Sequence, residues 1–216
     1  MQFVLNSGNK NNISIIKWAR HLHSISCNGM IYSENEFDRE RYLKIRDISA
    51  EMFSDVSDYT SSMVKDLFNT EIGYNTPKIE SRGVISKNNS ILFVREKDDG
   101  NWSLPGGMVD QNETPRQSVE REVQEETGYY VKAEKLLAIM DRDSHSHYPP
   151  HPFSVFKLFI RCKIIGGSPK KSLETEDSRY FKESDIPELS VSRVTIYQVK
   201  RMFEHCNYLD LPTDID

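Results

Sequence analysis

The chain has 216 residues, of which 37% are apolar and 28% charged, and its formal net charge is −5. No stretch approaches the roughly 18 consecutive apolar residues of a membrane-spanning helix, and 10 Phe and 10 Tyr residues argue against a disordered chain. At roughly 150 residues per domain, this length allows one large domain or one domain with an extension.

Residues 11–72 show the periodicity of helices. Within 40–56, apolar residues recur at steps of three and four, as on one face of a helix. Stretches 13–26 and 61–68 repeat the pattern more weakly, and Gly29 and residues 33–38 are predicted to interrupt the first two helices. We therefore expect a small all-helical domain over residues 1–75.

Strands and turns alternate beyond a cluster of glycine, asparagine and proline that ends near residue 77. Stretches 82–86 and 90–95 flank the Asn88-Asn89 turn and predict a β-hairpin. Residues 135–140 predict another strand. Together these patterns indicate a second domain, which begins with strands and turns, over residues 76–216.

The clearest strand pattern covers residues 154–164, where two sets of residues alternate with a period of two. One face carries Phe156, Leu158, Ile160, Cys162 and Ile164, and the other carries Lys157, Arg161 and Lys163. The pattern predicts that Cys162 is a core residue. Gly166-Gly167 are expected to end this strand, and a last helix is predicted over 192–205.

Residues 114–128 carry the signals of a short helix with defined ends. Thr114 followed by Pro115 is a typical helix start, and Gln117 completes a capping box. Gly128 is a typical C-terminal stop. The predicted helix therefore spans residues 115–127.

Three glutamates, Glu122, Glu125 and Glu126, lie on one face of this predicted helix, within an arc of roughly 100°. Like charges at this spacing destabilise a helix. Converging carboxylates instead suit a hard cation such as Mg²⁺ or Mn²⁺. For these three residues alone, a solvated acidic face remains the alternative.

The surrounding residues favour the metal site, because they match the pattern G-x5-E-x7-R-E-U-x-E-E-x-G-U, where U is bulky and apolar. Tyr129 takes the last position in place of an aliphatic residue. In this box the chain closely resembles the Nudix hydrolases, which implies an α/β/α sandwich with a mixed sheet. It also implies hydrolysis of a nucleoside diphosphate linked to another moiety, X. The other matching residues are Gly107, Glu113, Arg121, Glu122, Val123, Glu125, Glu126 and Gly128.

The same resemblance implies roles for the residues of the box. Glu122, Glu125 and Glu126 would bind Mg²⁺ or Mn²⁺, with the carbonyl of Gly107 as a further ligand. Metal must neutralise an anionic pyrophosphate before water attacks.

Neighbouring residues would support this site. Glu113 and Arg121 would pair and orient the loop against the helix, and the flexible turn at Gly106 would let backbone approach metal and substrate. In many Nudix enzymes a glutamate outside the box is the general base, and Glu174 and Glu176 are the candidates here. An ordinary acidic loop, with Glu125 or Glu126 activating water through metal, is the alternative.

Residues 76–113, 141–152 and 174–195 also resemble one Nudix subgroup, described as ADP-ribose or CDP-choline pyrophosphatases. Members of this subgroup carry an N-terminal helical domain, which residues 17–48 resemble. The flanking stretches do not identify X.

The stretch 141–152 combines acidic, basic and histidine side chains with prolines. Zinc is disfavoured there, because neither cysteine nor a helix supports the histidine spacing. Contact with substrate and a structural loop held by hydrogen bonds both remain open. The candidates for substrate contact are Asp141, Arg142, Asp143 and His145, together with Arg82 and Trp102, although packing is the favoured interpretation for Trp102.

We therefore expect a metal-dependent Nudix pyrophosphatase with a small nucleotide substrate of the ADP-ribose or CDP-choline type. One alternative is a Nudix hydrolase of oxidised nucleoside triphosphates or RNA 5′ ends, although the acidic balance disfavours long RNA. Another is a non-catalytic nucleotide sensor, which we would expect to lack box glutamates.

The amphipathic N-terminal segment, together with the resemblance to the subgroup, predicts a homodimer through the N-terminal helices, and neither membranes nor nucleic acids are expected partners. The three cysteines, Cys27, Cys162 and Cys206, form no CxxC motif, which predicts free thiols in a reducing compartment. Residues 1–14 lack the pattern of a secretory signal. These features predict a cytoplasmic protein.

Overall fold

The computed structural model describes residues 7–71, 73–170 and 172–216. The prediction about a secretory signal falls partly on residues 1–6, which lie outside the described residues. The chain forms two compact units, one that runs to Pro77 and includes Pro149–Ser154, and one built from Lys78–Tyr148 and Val155–Asp216. Across the described ranges, no helix is both long and apolar enough to cross a membrane.

The first unit is helical, as the sequence predicts. Its helices are α1 (Ser7–Tyr32), α2 (Glu36–Ser54) and α3 (Ser61–Thr70). The side chains of Asn35 and Thr60 cap α2 and α3 by accepting backbone N–H groups. The core of the unit is made of Ile16, Ala19, Ala50, Phe53, Val64 and Phe68.

The prediction that Gly29 interrupts the first helix is wrong, since α1 continues to Tyr32. A Cβ atom at Gly29 would lie 2.2 Å from Cε1 of Tyr42 on α2. The glycine therefore allows two helices to pass close to each other and does not break one of them.

A short stretch from far along the chain completes this unit. Phe153 packs against the helical core, with its ring 6.0 Å from that of Phe68. Arg20 donates from Nε to the carbonyl of His151 at 3.1 Å. The helical unit is thus built from two separate stretches of sequence.

In its described residues, the second unit contains eight strands and two longer helices. The helices are α4 (Pro115–Thr127) and α5 (Ile196–Asn207). The strands are β1 (Lys78–Val84), β2 (Ser86–Lys87), β3 (Ser90–Glu96), β4 (Trp102–Ser103), β5 (Tyr129–Asp141), β6 (Val155–Gly167), β7 (Thr175–Lys182) and β8 (Asp214–Ile215).

These strands form two sheets. The first has the order β1-β6-β5-β8 and is mixed, because β1 pairs with β6 in parallel whereas β5 and β6 are antiparallel. The second has the order β2-β3-β4, with β7 also paired to β3, and is antiparallel.

The sheets lie between α4 and α5. Consecutive residues of a strand point to opposite faces of its sheet, and here each face contributes to a different core. Phe159 packs in the core that contains Met202 of α5, whereas Ile160 packs with Val123 of α4. Cys162 is buried in the α4 core, as predicted. The predicted α/β/α sandwich with a mixed sheet, preceded by helices, is confirmed.

The predicted hairpin is correct only in part. Asn88 and Asn89 have φ angles of 51° and 57°, which suit a tight hairpin turn. However, this turn joins only β2 to β3. Arg82 lies in β1, which runs beside β6 in the other sheet.

Candidate active site

Helix α4 has the ends that the sequence predicts. Thr114 is its N-cap, Gln117 completes the capping box, and Pro115 occupies the first turn. Gly128 ends the helix in the left-handed conformation, with φ 81°. Local signals alone therefore fix the position of the box glutamates on this helix.

The turn at Gly106 and Gly107 lies directly against β1. The amide of Ser81 donates to the carbonyl of Gly107 at 2.9 Å, and that of Gly83 donates to Pro105 at 2.7 Å. Gly106 has φ 141°, and a Cβ atom there would lie 2.1 Å from the carbonyl oxygen of Ser81. Only glycine fits at this position without displacing the strand.

Two of the three glutamates predicted to bind metal face this turn. The amide of Gly106 donates to Oε2 of Glu126 at 2.9 Å. A Cβ atom on Gly107 would lie 2.6 Å from Oε1 of Glu122, so that carboxylate lies against the turn backbone. The structure thus brings Glu122 and Glu126 to one side of the Gly106-Gly107 turn.

Burial shapes the charge of both carboxylates. Burial raises the pKa of Glu126 to about 8, despite the opposing charge of Arg82 and with a further increase from Glu96. Burial also raises the pKa of Glu122, again opposed by a neighbouring guanidinium, that of Arg121. Both side chains would ionise more readily beside an additional positive charge.

Arg121 connects the loop to the helix. Its guanidinium donates to both oxygens of Glu113, at 2.9 and 3.0 Å, which is the predicted pair. It also donates to Glu122 at 2.9 Å and to Glu125 at 3.0 Å. These contacts raise the pKa of Arg121, so the side chain is a permanent cation among the box glutamates.

The donor set around the turn suits a hard divalent cation. Carboxylates and backbone carbonyls are the oxygen ligands that Mg²⁺ and Mn²⁺ prefer. Glu122, Glu126 and the carbonyl of Gly107 provide such donors, whereas the side chain of Glu125 is 55% exposed. Within the described ranges, no three acidic, histidine or cysteine side chains are grouped so that they could hold a metal ion. Two of the candidate ligands, Glu122 and Glu125, are instead paired with Arg121.

A buried ion triad of Glu80, Arg82 and Lys157 lies beneath the turn, and the sequence patterns do not reveal it. Glu80 accepts from Nε of Arg82 and from Nζ of Lys157. Arg82 also donates to the carbonyl of Leu104 at 2.8 Å. Arg82, a predicted substrate contact, is only 4% exposed and is engaged in holding the loop.

The alternating pattern of β6 gives the wrong expectation for the burial of Lys157. This lysine belongs to the set expected opposite the apolar face, yet it is completely buried. Val155 and Phe159, its neighbours on that face, are also buried, whereas Phe156 on the other face is 41% exposed, so at this end of β6 the lysine face is the interior one.

A second buried acid, Glu96, also lies outside the sequence predictions. It is 4% exposed, accepts from the hydroxyl of Ser103, and lies 3.2 Å from Nε of Arg193. Its charge contributes to the raised pKa of Glu126. The one signal in the sequence that could have indicated Glu96 is its position, because it is a charged residue at the end of a largely apolar strand.

The two candidates for a general base outside the box, Glu174 and Glu176, flank a buried residue that contacts Glu126. The buried residue between them, Thr175, donates its hydroxyl to the backbone carbonyl of Glu126 at 2.9 Å. Glu174 and Glu176 alternate with it and are exposed, and Glu176 lies 3.6 Å from Arg95.

The acidic and histidine loop forms a local network with the C-terminus. Asp141 caps the turn that follows it by accepting from the amide of Asp143 at 3.2 Å. His145 lies 2.7 Å from the carboxylate of Asp216, and Arg142 is buried. These contacts fit the structural interpretation of the loop.

Trp102 makes the packing contacts that its favoured interpretation requires. Its ring meets Phe181 edge to face at 4.8 Å, and the guanidinium of Arg179 lies 5.9 Å from the ring centre.

The two turn glycines should respond differently to substitution by alanine. Gly106→Ala combines a positive φ with a backbone clash, so we expect a loss of roughly 1–3 kcal/mol in unfolding free energy. Gly107→Ala meets only the end of the Glu122 side chain, so stability should change less while turnover falls. Urea denaturation and steady-state kinetics measure the two effects.

Gly166→Ala is the control, because the nearest neighbour of its added Cβ atom would be 3.8 Å away. Equal stability of the Gly106 and Gly107 variants would contradict this account of the turn.

Known proteins match the chain over most of its length. The profile of the NUDIX domain matches residues 78–198, and the profile of a UDP-X-like, N-terminal oligomerisation domain matches residues 14–68. YjhB of Bacillus subtilis (strain 168), provisionally named an ADP-ribose pyrophosphatase, is 38% identical over 203 residues, or 93% of this chain and 97% of YjhB. The ADP-ribose pyrophosphatase of Methanocaldococcus jannaschii is 32% identical over 54% of this chain and 69% of its own length.

Solved structures give the same grouping. The crystal structure of a UDP-X diphosphatase has a TM-score of 0.61 and 27% identity, covering 95% of this chain and 99% of that one. The structure of an ADP-ribose pyrophosphatase from Streptococcus suis 89-1591 has a TM-score of 0.59 and 35% identity, covering 65% of this chain and all of the other.

Proposed function

The chain belongs to the Nudix hydrolase family, and from this premise we propose that it hydrolyses the pyrophosphate bond of a nucleoside diphosphate linked to another moiety. ADP-ribose is the favoured substrate, because two relatives are named for that activity. The observation that carries the proposal is the shared approach of Glu122 and Glu126 to the Gly106-Gly107 turn.

We propose that Glu122, Glu126 and the carbonyl of Gly107 hold Mg²⁺ or Mn²⁺. The cation would neutralise the pyrophosphate and polarise its phosphorus. Glu122 must then exchange the guanidinium of Arg121 for metal, while Arg121 keeps its two bonds to Glu113. The Glu113–Arg121 pair would therefore keep the loop in place during this exchange.

In the reaction, the oxygen of water forms a bond to one phosphorus and the bridging P–O bond breaks. The products are a nucleoside monophosphate and a phosphorylated second moiety, AMP and ribose 5-phosphate in the case of ADP-ribose. We propose that a box glutamate, and not Glu174 or Glu176, assists the loss of the water proton. This choice is supported by Thr175, which takes the side of β7 that faces Glu126.

A substrate panel with Mg²⁺ and with Mn²⁺ tests the proposal directly. We expect the fastest turnover with ADP-ribose, detected as AMP by chromatography, and slower turnover with CDP-choline. A UDP-sugar belongs in the panel, because a UDP-X diphosphatase resembles the chain over almost its full length.

Further compounds in the panel test the alternative functions. Faster hydrolysis of oxidised deoxynucleoside triphosphates or of capped RNA would replace the proposed substrate class. Nucleotide binding without turnover of any compound would instead indicate a sensor.

We further propose that the helical unit forms a homodimer in the cytoplasm. The matching oligomerisation profile supports the dimer, as do Trp18, Tyr32 and Phe37, which are 60%, 76% and 74% exposed. Light scattering should give twice the chain mass, and Trp18→Glu should shift it towards the monomer, while Tyr208→Glu on the other unit should not. A monomeric wild-type protein at working concentration would contradict the dimer. The free cysteines support the location.

A further inference from the structure

The two sheets of the catalytic unit separate where β1 ends. The β1–β6 ladder stops at the pair Val84 and Arg161, and β6 then continues to Gly167 beside β5. The chain leaving β1 enters β2 of the other sheet. A cavity of about 460 Å³ opens between the diverging strands, and we call it the sheet-gap cavity.

Three hydrogen-bond donor atoms at this cavity lack an acceptor in the described part of the chain. Nε and Nη1 of Arg161 and the hydroxyl of Tyr180 are shielded from solvent and have no hydrogen-bond partner among the described residues. The nearest carboxylate oxygen to Nε, from Glu134, lies 3.7 Å away, which is too far for a hydrogen bond. Buried donors are rarely left unsatisfied in native proteins, so these groups are suited to an acceptor from outside the chain.

The charge around the cavity is positive, although the whole chain is acidic. Lys87 and Lys163 line it together with Arg161, and Glu134 is the single acid among the described lining residues. Guanidinium groups bind phosphate oxygens in a planar, often paired geometry, and a tyrosine hydroxyl adds a further donor. We propose that the sheet-gap cavity is a second binding site of this protein, which takes a phosphate group through Arg161, Tyr180, Lys87 and Lys163.

This site is distinct from the box. None of its four phosphate contacts touches the Gly106-Gly107 turn or supplies a carboxylate to it, and its donors are two lysine amines, one arginine side chain and one hydroxyl. Binding should therefore require no metal. The phosphate can be free inorganic phosphate or the phosphate of a nucleoside monophosphate, since both present the same dianion.

Calorimetric titration of the full chain in EDTA separates this site from the box. We expect wild-type protein to bind inorganic phosphate, and Arg161→Met to bind it at least roughly tenfold more weakly, because a charged donor pair is lost. Glu122→Gln and the surface variant Lys132→Met should bind phosphate as the wild type does. A second titration with AMP identifies the source: tighter binding than inorganic phosphate indicates a nucleotide, and weaker or equal binding indicates the free ion.

Tyr180→Phe keeps the test decisive if Arg161→Met fails to fold. This variant removes one hydroxyl and keeps the ring, so it should melt as the wild type does and still bind phosphate several-fold more weakly. The proposal is overturned if the wild type shows no phosphate binding in EDTA at about 10 mM ligand, or if Arg161→Met or Tyr180→Phe, correctly folded, binds as the wild type does. Loss of binding in Glu122→Gln would also overturn it, because it would locate the phosphate at the box.

Discussion

Glu122→Gln and Glu126→Gln should each lower kcat/KM for the preferred substrate by roughly 10²–10³-fold. Each change removes a charged oxygen donor from the Gly106-Gly107 turn, and losing several kcal/mol of metal-based stabilisation of the transition state corresponds to this factor. The side-chain amide oxygen that Glu126→Gln introduces could still accept from Gly106, and burial already disfavours the charge of Glu126. Activity should therefore fall while the unfolding free energy stays constant or rises.

Two further variants serve for comparison, and the first of them is the control. Glu183→Gln removes an exposed charge far along the chain and should leave turnover unchanged. Glu125→Gln should have an intermediate effect, because Glu125 is half exposed and pairs with Arg121. Titrations of Mg²⁺ against rate for each variant separate weaker metal binding from slower chemistry. Near-normal turnover of both Glu122→Gln and Glu126→Gln would refute the proposed metal site.

Glu80→Gln should cost more stability than any substitution at the Gly106-Gly107 turn or among the box glutamates. It leaves Arg82 and Lys157 buried without their shared carboxylate, and breaking a buried ion pair in this way costs roughly 3–5 kcal/mol. In a chain of this size that loss corresponds to a melting temperature lower by roughly 10 °C. Thermal and urea denaturation followed by circular dichroism measure the change.

The ion triad also predicts a dependence on pH. Burial acts to raise the pKa of Glu80, but Arg82 and Lys157 hold it at about 2, below its ordinary value. The ionised carboxylate therefore contributes stability above its ordinary pKa, and this contribution is lost as pH falls towards 2. The Glu80→Gln variant should lose less stability than the wild type over that acidic range.

Lys157→Met is the matched comparison. It leaves Glu80 paired with Arg82 and fills the same space with an apolar chain, so it should cost less than Glu80→Gln. The exposed Lys132→Met should be neutral. If Lys157→Met proves the more damaging of the two triad variants, the central role assigned to Glu80 is wrong.

Local sequence signals predict the catalytic helix best. The capping residues Thr114, Pro115, Gln117 and Gly128 act through the backbone within a few residues of themselves, so the bounds of α4 need no knowledge of the rest of the fold. The Glu113–Arg121 pair is also anticipated, but from the resemblance of the box to the Nudix hydrolases and not from a local signal.

Tertiary contacts explain what the sequence patterns missed. Lys157 alternates like a surface residue, but Glu80, 77 positions earlier, supplies its counter-charge in the interior. Gly29 resembles a helix breaker until Tyr42 is seen against it. Glu96 matters because its charge acts on Glu126, a residue of another element. In each case the deciding partner is distant in sequence, and no local periodicity contains that information.

The stretch Pro149–Ser154 limits how this protein can be shortened. A truncated chain that began near residue 78 would keep Phe153 but delete the ring of Phe68 against which it lies. It would also delete Arg20, which binds the carbonyl of His151. The helices and the catalytic unit are therefore not interchangeable modules joined at one boundary, and a fusion or domain swap must transplant this internal loop together with the N-terminal helices.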